Sequence, residues 1–147
     1  LGARDSLRLE AGLCLYGHDI DINTSPIEAA LGWVVDKQRC ELNSFPGAKS
    51  IFKQITEGVS RRRVGLLPDG PIPLRERTLI IDNSGREIGY VTSGGYSPTM
   101  ERPIAMGYLE ISHSNLGSKV WANLRGKKLG LTVVSLPFVK HKYHRGV

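Results

Sequence analysis

The chain is 147 residues long, with 40% hydrophobic and 23% charged residues, so it has room for one domain, or for one domain and part of another. No apolar run approaches the roughly 18 residues of a membrane-spanning helix, and the two cysteines, Cys14 and Cys40, are too few for a disulfide framework and indicate a reducing compartment. The formal net charge of +6 favours an anionic partner, although a merely soluble basic surface would carry the same charge.

The first residues already carry the pattern of a folded domain, without an initiator Met or a signal peptide. We therefore expect the chain to be the C-terminal piece of a longer protein. Leucines alternate over residues 7–16 as in a strand, but the same stretch is rich in Leu, Arg, Glu and Ala and has no β-branched residue. This composition predicts a helix that is capped by Asp5 or Ser6 and ended by Gly17.

Two further helices are predicted before residue 60. Ser25 and Glu28 have the spacing of a capping box, in which the side chain of each accepts a hydrogen bond from the backbone amide of the other, and a short helix should follow. The apolar run at residues 31–35 is typical of a strand. An apolar face from Ala48 to Ile55 predicts the second of these helices, which should end at Gly58.

After residue 60 the pattern changes to short strands separated by turn residues. The predicted strands cover residues 63–67, 78–81, 88–93, 104–109, 119–124 and 129–136. Residues 82–85 and 125–128 join two pairs of them as hairpin loops. Roughly six short strands in about 85 residues predict a small antiparallel barrel or sandwich.

No common catalytic motif is present, because the sequence lacks a G-x-S-x-G elbow, a P-loop and an H-E-x-x-H pair. The histidines are scattered along the chain, at positions 18, 113, 141 and 144, so no metal site is expected. Gly94 and Gly95 predict a tight turn. The most basic run, residues 61–63, has two interpretations, a solvated edge strand or a patch that faces an anion.

Several ordered motifs resemble one enzyme family over the whole length of the chain. They read GARDSLRLEAGLCLYG at residues 2–17, SPIE at 25–28, RRRVGL at 61–66, VTSGGYSP at 91–98 and LPFV at 136–139. In this order they resemble the T-protein of the glycine cleavage system, a tetrahydrofolate-dependent aminomethyltransferase. The similarity is closer to eukaryotic members, which implies a mitochondrial protein, or a cytoplasmic one if the source is bacterial.

The resemblance implies both a reaction and a fold. Enzymes of this family take an aminomethyl group from the lipoyl arm of the carrier H-protein, transfer the methylene to tetrahydrofolate and release ammonia, without a metal. Residues 1–44 would be the end of the folate-binding domain, and residues 45–147 the C-terminal barrel domain. The expected fold class is α+β, with short N-terminal helices followed by a six-stranded antiparallel, Greek-key-like β-barrel.

The resemblance also implies two folate contacts in this chain, Arg4 of the GARD motif and Tyr143 of the C-terminal tail. A guanidinium offers forked donors to pterin or carboxylate oxygens. A phenol offers a flat apolar face with one polar tip. The tail departs from the family pattern at Lys140 and His144, where Pro and Tyr are usual.

The family's catalytic aspartate and its folate-orienting glutamate have no counterpart in this chain. Asp5, Asp19 and Asp21 do not lie in the corresponding motif, so no catalytic residue is assigned here. We therefore expect activity from the full-length protein, completed by its N-terminal part, and no activity from this chain alone.

Two other function classes stay open at this point. The chain is compatible with a non-catalytic module that binds folate or the carrier protein. It is also compatible with a basic RNA-binding relative involved in tRNA modification. Aromatic residues make up only 7% of the chain, however, and no basic and aromatic stripe is present. The partners that the resemblance implies are tetrahydrofolate and the lipoylated H-protein, and neither nucleic acid nor a membrane is expected.

Overall fold

The computed structural model describes residues 2–142 and residue 144. Three α-helices precede the strands, with a 3-10 helix at Gly32–Val34 between the first and second: α1 (Gly2–Glu10), α2 (Lys37–Glu41) and α3 (Ala48–Glu57). The strands then follow in chain order: β1 (Arg61–Pro68), β2 (Leu79–Ile81), β3 (Glu87–Ser97), β4 (Arg102–Glu110), β5 (Lys119–Leu124) and β6 (Lys127–Val134). A second 3-10 helix, Ile111–His113, lies between β4 and β5.

The strands form a closed antiparallel barrel in the spatial order β1-β4-β3-β2-β5-β6. Strands β2, β3 and β4 form a meander, in which β3 pairs with both of the others. Strand β1, which precedes β2 in the chain, pairs with the opposite side of β4. This arrangement is a Greek key. Strand β6 closes the barrel by pairing with both β5 and β1. The structure thereby confirms the expected fold class.

Two apolar clusters hold the domain together. The first fills the barrel, with side chains from every strand, among them Leu66, Ile80, Val91 and Leu109. The second lies on the outer face of β4, where Leu9 of α1 packs on Ile104 and Met106. Strand β4 is therefore buried on both faces along its whole central part. Helix α1 and the segment after β6 are the elements that cover it.

The sequence pattern predicted the N-terminal helix too far along the chain. It begins at Gly2 and ends at Glu10, rather than covering residues 7–16. The reason is Gly12, whose φ of 66° is left-handed and stops the helix five residues before Gly17. Residues after Gly12 leave the helix axis and carry Asp19 back to the barrel.

The segment between α1 and α3 also differs from the prediction. Ser25 and Glu28 do form the capping box, with hydrogen bonds of 3.1 and 3.2 Å, but only one helical turn follows. Residues 31–35 contain a 3-10 helix instead of a strand, and Trp33 in this run is 81% exposed. A short apolar run does not by itself distinguish these structures. Helix α2 was missed; Asp36 caps it by accepting a hydrogen bond from the Arg39 amide.

The predicted strands agree with the observed ones to within a few residues, except that β3 runs through the predicted turn. Gly94 and Gly95 lie inside β3, so the prediction of a tight turn was wrong. A Cβ atom on Gly94 would collide with the carbonyl oxygen of Leu74. The glycine therefore allows close backbone approach instead of a reversal of the chain. The hairpin at Arg125 and Gly126 is confirmed; both residues have positive φ, as in a type I′ turn.

None of the helices in the described residues is long and apolar enough to cross a membrane.

Candidate functional site

Helix α1 carries Arg4 on its exposed side. The Arg4 side chain is 60% exposed, and its contact is with the neighbouring Asp5, at 3.4 Å. Leu9 faces the opposite way and is buried against β4. Arg8 lies one turn after Arg4, and residues four apart share a face of a helix. Because Leu9 is held against β4, the helix cannot rotate about its axis, and Arg4 extends into solvent from a fixed side of it.

A buried carboxylate, that of Asp19, ties this helix to the barrel. One of its oxygens accepts hydrogen bonds from the hydroxyls of Thr92 and Ser93, at 2.5 and 2.8 Å. The other accepts from Arg8 Nη1 at 2.6 Å and from the Leu15 amide at 2.9 Å. The carboxylate is fully buried, and Arg8 also donates to the Ser93 hydroxyl at 2.9 Å. Helix α1, the segment that follows it and strand β3 all meet at this one group.

This network limits the chemistry of Asp19. Each oxygen of the carboxylate already accepts two hydrogen bonds, which uses the lone pairs that a general base needs. The backbone carbonyl of Asp19 accepts a further hydrogen bond from the buried Tyr108 hydroxyl, at 2.8 Å. Asp19 is therefore suited to positioning α1 and not to proton transfer.

Glu10 forms a second buried carboxylate contact in the same last turn of the helix as Arg8. Its oxygens accept hydrogen bonds from the Ser97 hydroxyl at 2.5 Å and from the amide and hydroxyl of Thr99 at 2.9 and 2.8 Å. Burial alone would raise the pKa of this carboxyl, but the donors from Ser97 and Thr99 together lower it below its ordinary value. The charged form is therefore the one that the fold stabilises.

The C-terminal tail runs along the same end of α1. Leu136 and Phe138 pack in the cluster of Leu9, and the Val139 amide donates to the Glu10 carbonyl at 3.0 Å. His141 Nε2 lies 3.1 Å from the Ala11 carbonyl oxygen. The structure thus brings the tail to the C-terminal end of the helix. Arg4 lies six residues earlier, about 9 Å away along the helix axis.

Tyr143, the other folate contact implied by the resemblance, lies outside the described residues. The structure therefore gives a position for Arg4 and for the tail up to Lys142.

The three arginines of β1 have three different environments. Arg61 is paired with Glu28 at 3.0 Å and lies over the Tyr108 ring, 5.0 Å from its centroid. Arg62 is exposed, and Arg63 is only 5% exposed. Residues 61–63 pair with β4 only, so the run does lie where β1 has one neighbouring strand, but the expectation of solvated side chains was wrong for the ion-paired Arg61 and the buried Arg63.

Nucleophilic and metal chemistry have little support in the described part of the chain. Burial raises the pKa of the Cys14 thiol above its ordinary value, an effect that Arg63 only partly offsets. A raised pKa disfavours the reactive thiolate. Across residues 2–142 and 144, no group of three or more His, Cys, Asp or Glu side chains is arranged to hold a metal ion.

Sequence reasoning missed the buried polar network of Asp19, Thr92 and Ser93. Asp19 was set aside because it lies outside the family's catalytic motif. A signal was nevertheless present, since Thr92 and Ser93 interrupt an otherwise apolar and aromatic strand. Successive side chains of a regular strand face opposite sides, and it is the irregularity of β3 between Val91 and Ser93 that lets one carboxylate accept from both hydroxyls. The sequence does not specify which segment supplies it.

Comparison with known protein families matches two parts of the chain. Residues 61–140 match the family model described as the glycine cleavage T-protein C-terminal barrel domain. Residues 1–39 match the model described as the GCVT N-terminal domain. The first match contains all six strands of the barrel. The second contains α1, the buried Asp19 that joins this helix to the barrel, and the capping box.

Individual relatives match nearly the whole chain. The mitochondrial aminomethyltransferases of Solanum tuberosum and Dictyostelium discoideum are each 48% identical to it over 99% of its length. The chain spans 36% of each of these relatives. The crystal structure of the glycine cleavage system aminomethyltransferase T from Bartonella henselae is 50% identical, with a TM-score of 0.93 over 97% of this chain and 40% of that one. The chain belongs to the glycine cleavage T-protein family.

Proposed function

We propose that this chain forms the C-terminal part of a tetrahydrofolate-dependent aminomethyltransferase. The full-length enzyme would take the aminomethyl group from the lipoyl arm of the H-protein, pass its methylene to tetrahydrofolate and release ammonia. The observation that carries this proposal is 48% identity to named aminomethyltransferases over 99% of the chain, barrel and N-terminal helices together. A mitochondrial location is proposed on the same ground, because several relatives are named as mitochondrial.

The proposed division of labour follows the predicted domains. Residues 1–44 complete the folate-binding domain, and residues 45–147 form the barrel that closes one side of the folate cavity. The barrel supports this role because β4 is covered by both α1 and the tail, which carry the two proposed contacts. Asp19 and Glu10 would act as positioning residues, since both hold the last turn of α1 against β3 and the residues that follow it.

Arg4 is proposed to contact the pterin or carboxylate oxygens of the folate. Among the described residues its exposed guanidinium pairs with Asp5 alone, at 3.4 Å, so its remaining donors are available to a ligand. Tyr143 is proposed to place its ring against the folate from the tail. Both assignments rest on the family motifs.

The catalytic carboxylate is proposed to come from the part of the full-length protein that the relatives contain and this chain does not match. The chain covers only 36% of those relatives. Within the described residues, the buried carboxylates of Asp19 and Glu10 accept four and three hydrogen bonds from the protein, which suits them to positioning α1. Because catalysis by positioning requires all the reacting groups to be held together, we expect the chain alone to be inactive.

The test is tetrahydrofolate-dependent release of ammonia from aminomethyl-loaded H-protein, measured with a full-length protein that carries this sequence. A hydrogen bond to a charged group contributes about 1.5–3 kcal/mol. Arg4→Ala should therefore lower the rate of tetrahydrofolate-dependent turnover by about 10- to 100-fold. Lys49→Ala, which removes an exposed cation from α3, is the matched control and should leave the rate unchanged. A folded Arg4→Ala enzyme with the kinetics of the control would refute the assignment.

A further inference from the structure

Helix α3 has an apolar face that the rest of the described structure leaves half open. Four apolar side chains share one arc of about 100° on this helix: Ala48, Ile51, Phe52 and Ile55. Ala48 is fully buried, but Phe52 and Ile55 are 41% and 43% exposed. A helix of a globular protein turns such a face towards a core. The end of the arc that Phe52 and Ile55 form, called here the open face of α3, therefore lacks most of its cover.

The cover that α3 does have comes chiefly from α2, which is the shorter helix of the two. Cys40 of α2 lies against the start of α3, where its Sγ donates to the Ala48 carbonyl at 3.4 Å. Helix α2 has five residues and α3 has ten, so α2 cannot extend along the whole arc. Among the described residues, no side chain of α3 belongs to either apolar cluster of the barrel. The barrel core therefore does not cover the open face either.

The surface next to α2 is also open and largely apolar. A cavity of about 390 Å³ lies there, lined by Val34, Val35, Asp36, Arg39 and Phe45. The Asp36 carboxylate caps α2, and the Arg39 guanidinium lies over the Phe45 ring, 5.8 Å from its centroid. Because both charged groups of the lining already have a contact, the cavity offers an occupant mainly aliphatic and aromatic carbon.

The place of the two helices in the chain indicates what covers them. The match to the GCVT N-terminal domain ends at residue 39, inside α2, and the match to the barrel domain begins at residue 61. Helix α3 lies between the two matches and connects them. The Solanum tuberosum relative aligns with 99% of this chain, but the chain covers only 36% of that relative. Most of the relative therefore lies outside the matched segment, and a covering surface of the same polypeptide is available there.

We propose that, in the full-length protein, the open face of α3 and the cavity beside α2 pack against an apolar surface of the part that this chain does not match. The inference rests on the proposed function, which requires that longer protein. Such a contact would hold the barrel, and with it Arg4 and the tail, in a fixed position relative to the part that supplies the catalytic carboxylate. Helices α2 and α3 would then be an interface between domains as well as a connection.

The experiment measures how fast single introduced thiols react with a maleimide in a full-length protein that carries this sequence. Phe52→Cys and Ile55→Cys place a thiol on the open face. Lys53→Cys is the matched control, because Lys53 lies on the other side of the same helix with its side chain 70% exposed. Mass spectrometry of the peptides separates these thiols from the natural Cys14 and Cys40. We expect both thiols on the open face to react about 100-fold more slowly than the control, because a packed site reacts only when it opens.

Protection that does not depend on the protein concentration would support the proposal. Equal rates for Ile55→Cys and Lys53→Cys would overturn it. Protection that disappears on dilution would also overturn it, because a second copy of the protein would then be the occupant. If Phe52→Cys does not fold, Ile55→Cys supplies the comparison.

Labelling and turnover are measured separately, so the two proposals can fail independently. Turnover by a protein whose open-face thiols are unprotected would overturn the interface alone. Protected thiols in a protein without turnover would overturn the proposed reaction alone.

Discussion

Two buried carboxylates determine how α1 sits on the barrel. Asp19 joins the helix through Arg8 to the hydroxyls of β3, and Glu10 joins it to Ser97 and Thr99. Asp19 accepts four hydrogen bonds and Glu10 three, so the cost of burying each charge is largely offset. Asp19 in particular has no open acceptor site of the kind that a catalytic base requires. Their proposed role is to hold a neighbouring face of the helix, and with it Arg4, in a fixed orientation.

Replacing Asp19 with asparagine should strongly destabilise the protein. The amide group would place a donor against the hydroxyls or against Arg8, and the largely buried Arg8 would lose its counter-charge. Breaking a buried pair by removing one partner costs about 3–5 kcal/mol. Denaturant unfolding measures this change. Asp21→Asn, in an exposed turn two residues later, is the control and should cost less than about 1 kcal/mol. Equal losses in the two variants would show that the network contributes little.

The lowered pKa of Glu10 predicts a pH dependence of stability. Because the pKa is lower in the folded protein than the ordinary value of 4.5, the charged carboxylate stabilises the fold above pH 4.5. That contribution is lost as the pH falls through the lowered folded pKa. The free energy of unfolding of the unsubstituted protein should therefore drop more steeply below pH 4.5 than that of the Glu10→Gln variant. Glu41→Gln, in an exposed part of α2, controls for the loss of one negative charge. Parallel pH profiles for the parent and Glu10→Gln would contradict this interpretation.

At the scale of elements, the barrel could be predicted from the sequence and the surrounding helices only in part. Alternating apolar residues and turn residues specify strands locally, so five of the strand positions and the Arg125 turn were predicted closely. Gly12 and Gly17 both have positive φ, and Gly12, which comes first in the chain, is the one that ends α1. The run at residues 31–35 was misjudged because its apolar character does not reflect burial in the described structure.

The place of Gly94 inside β3 gives a test of the element packing. A Cβ atom there would collide with the backbone oxygen of Leu74, which a side-chain rotation cannot relieve. Gly94→Ala should therefore destabilise the protein by about 1–3 kcal/mol. Gly95→Ala is a matched control in the same strand, because its Cβ would make an ordinary contact of 3.5 Å with Leu9. Thermal unfolding of both variants measures the difference. Similar melting temperatures would mean that the loop at Leu74 moves aside freely.

At the scale of the whole molecule, the barrel, α1 and the tail form one unit. Leu9, Leu136 and Phe138 share a cluster on β4, so the helix and the tail are held by the same strand. This arrangement was not readable from periodicity, because it depends on contacts between residues more than 100 positions apart. The family motifs did identify both segments, since GARD and LPFV begin the helix and the tail, respectively. The chain nevertheless covers only about a third of its relatives, and the proposed reaction belongs to the longer protein.

The central claim is that this chain is the C-terminal part of an aminomethyltransferase. The most direct measurement uses a chimera in which the chain replaces the matching segment of the Solanum tuberosum relative, to which it is 48% identical over 145 residues. Tetrahydrofolate-dependent ammonia release from aminomethyl-loaded H-protein is measured for the chimera, the parent relative and the 147-residue chain alone. The account predicts turnover by the chimera, loss of about one to two decades of it in Arg4→Ala, and none by the chain alone. A folded chimera without turnover, or turnover by the isolated chain, would contradict it.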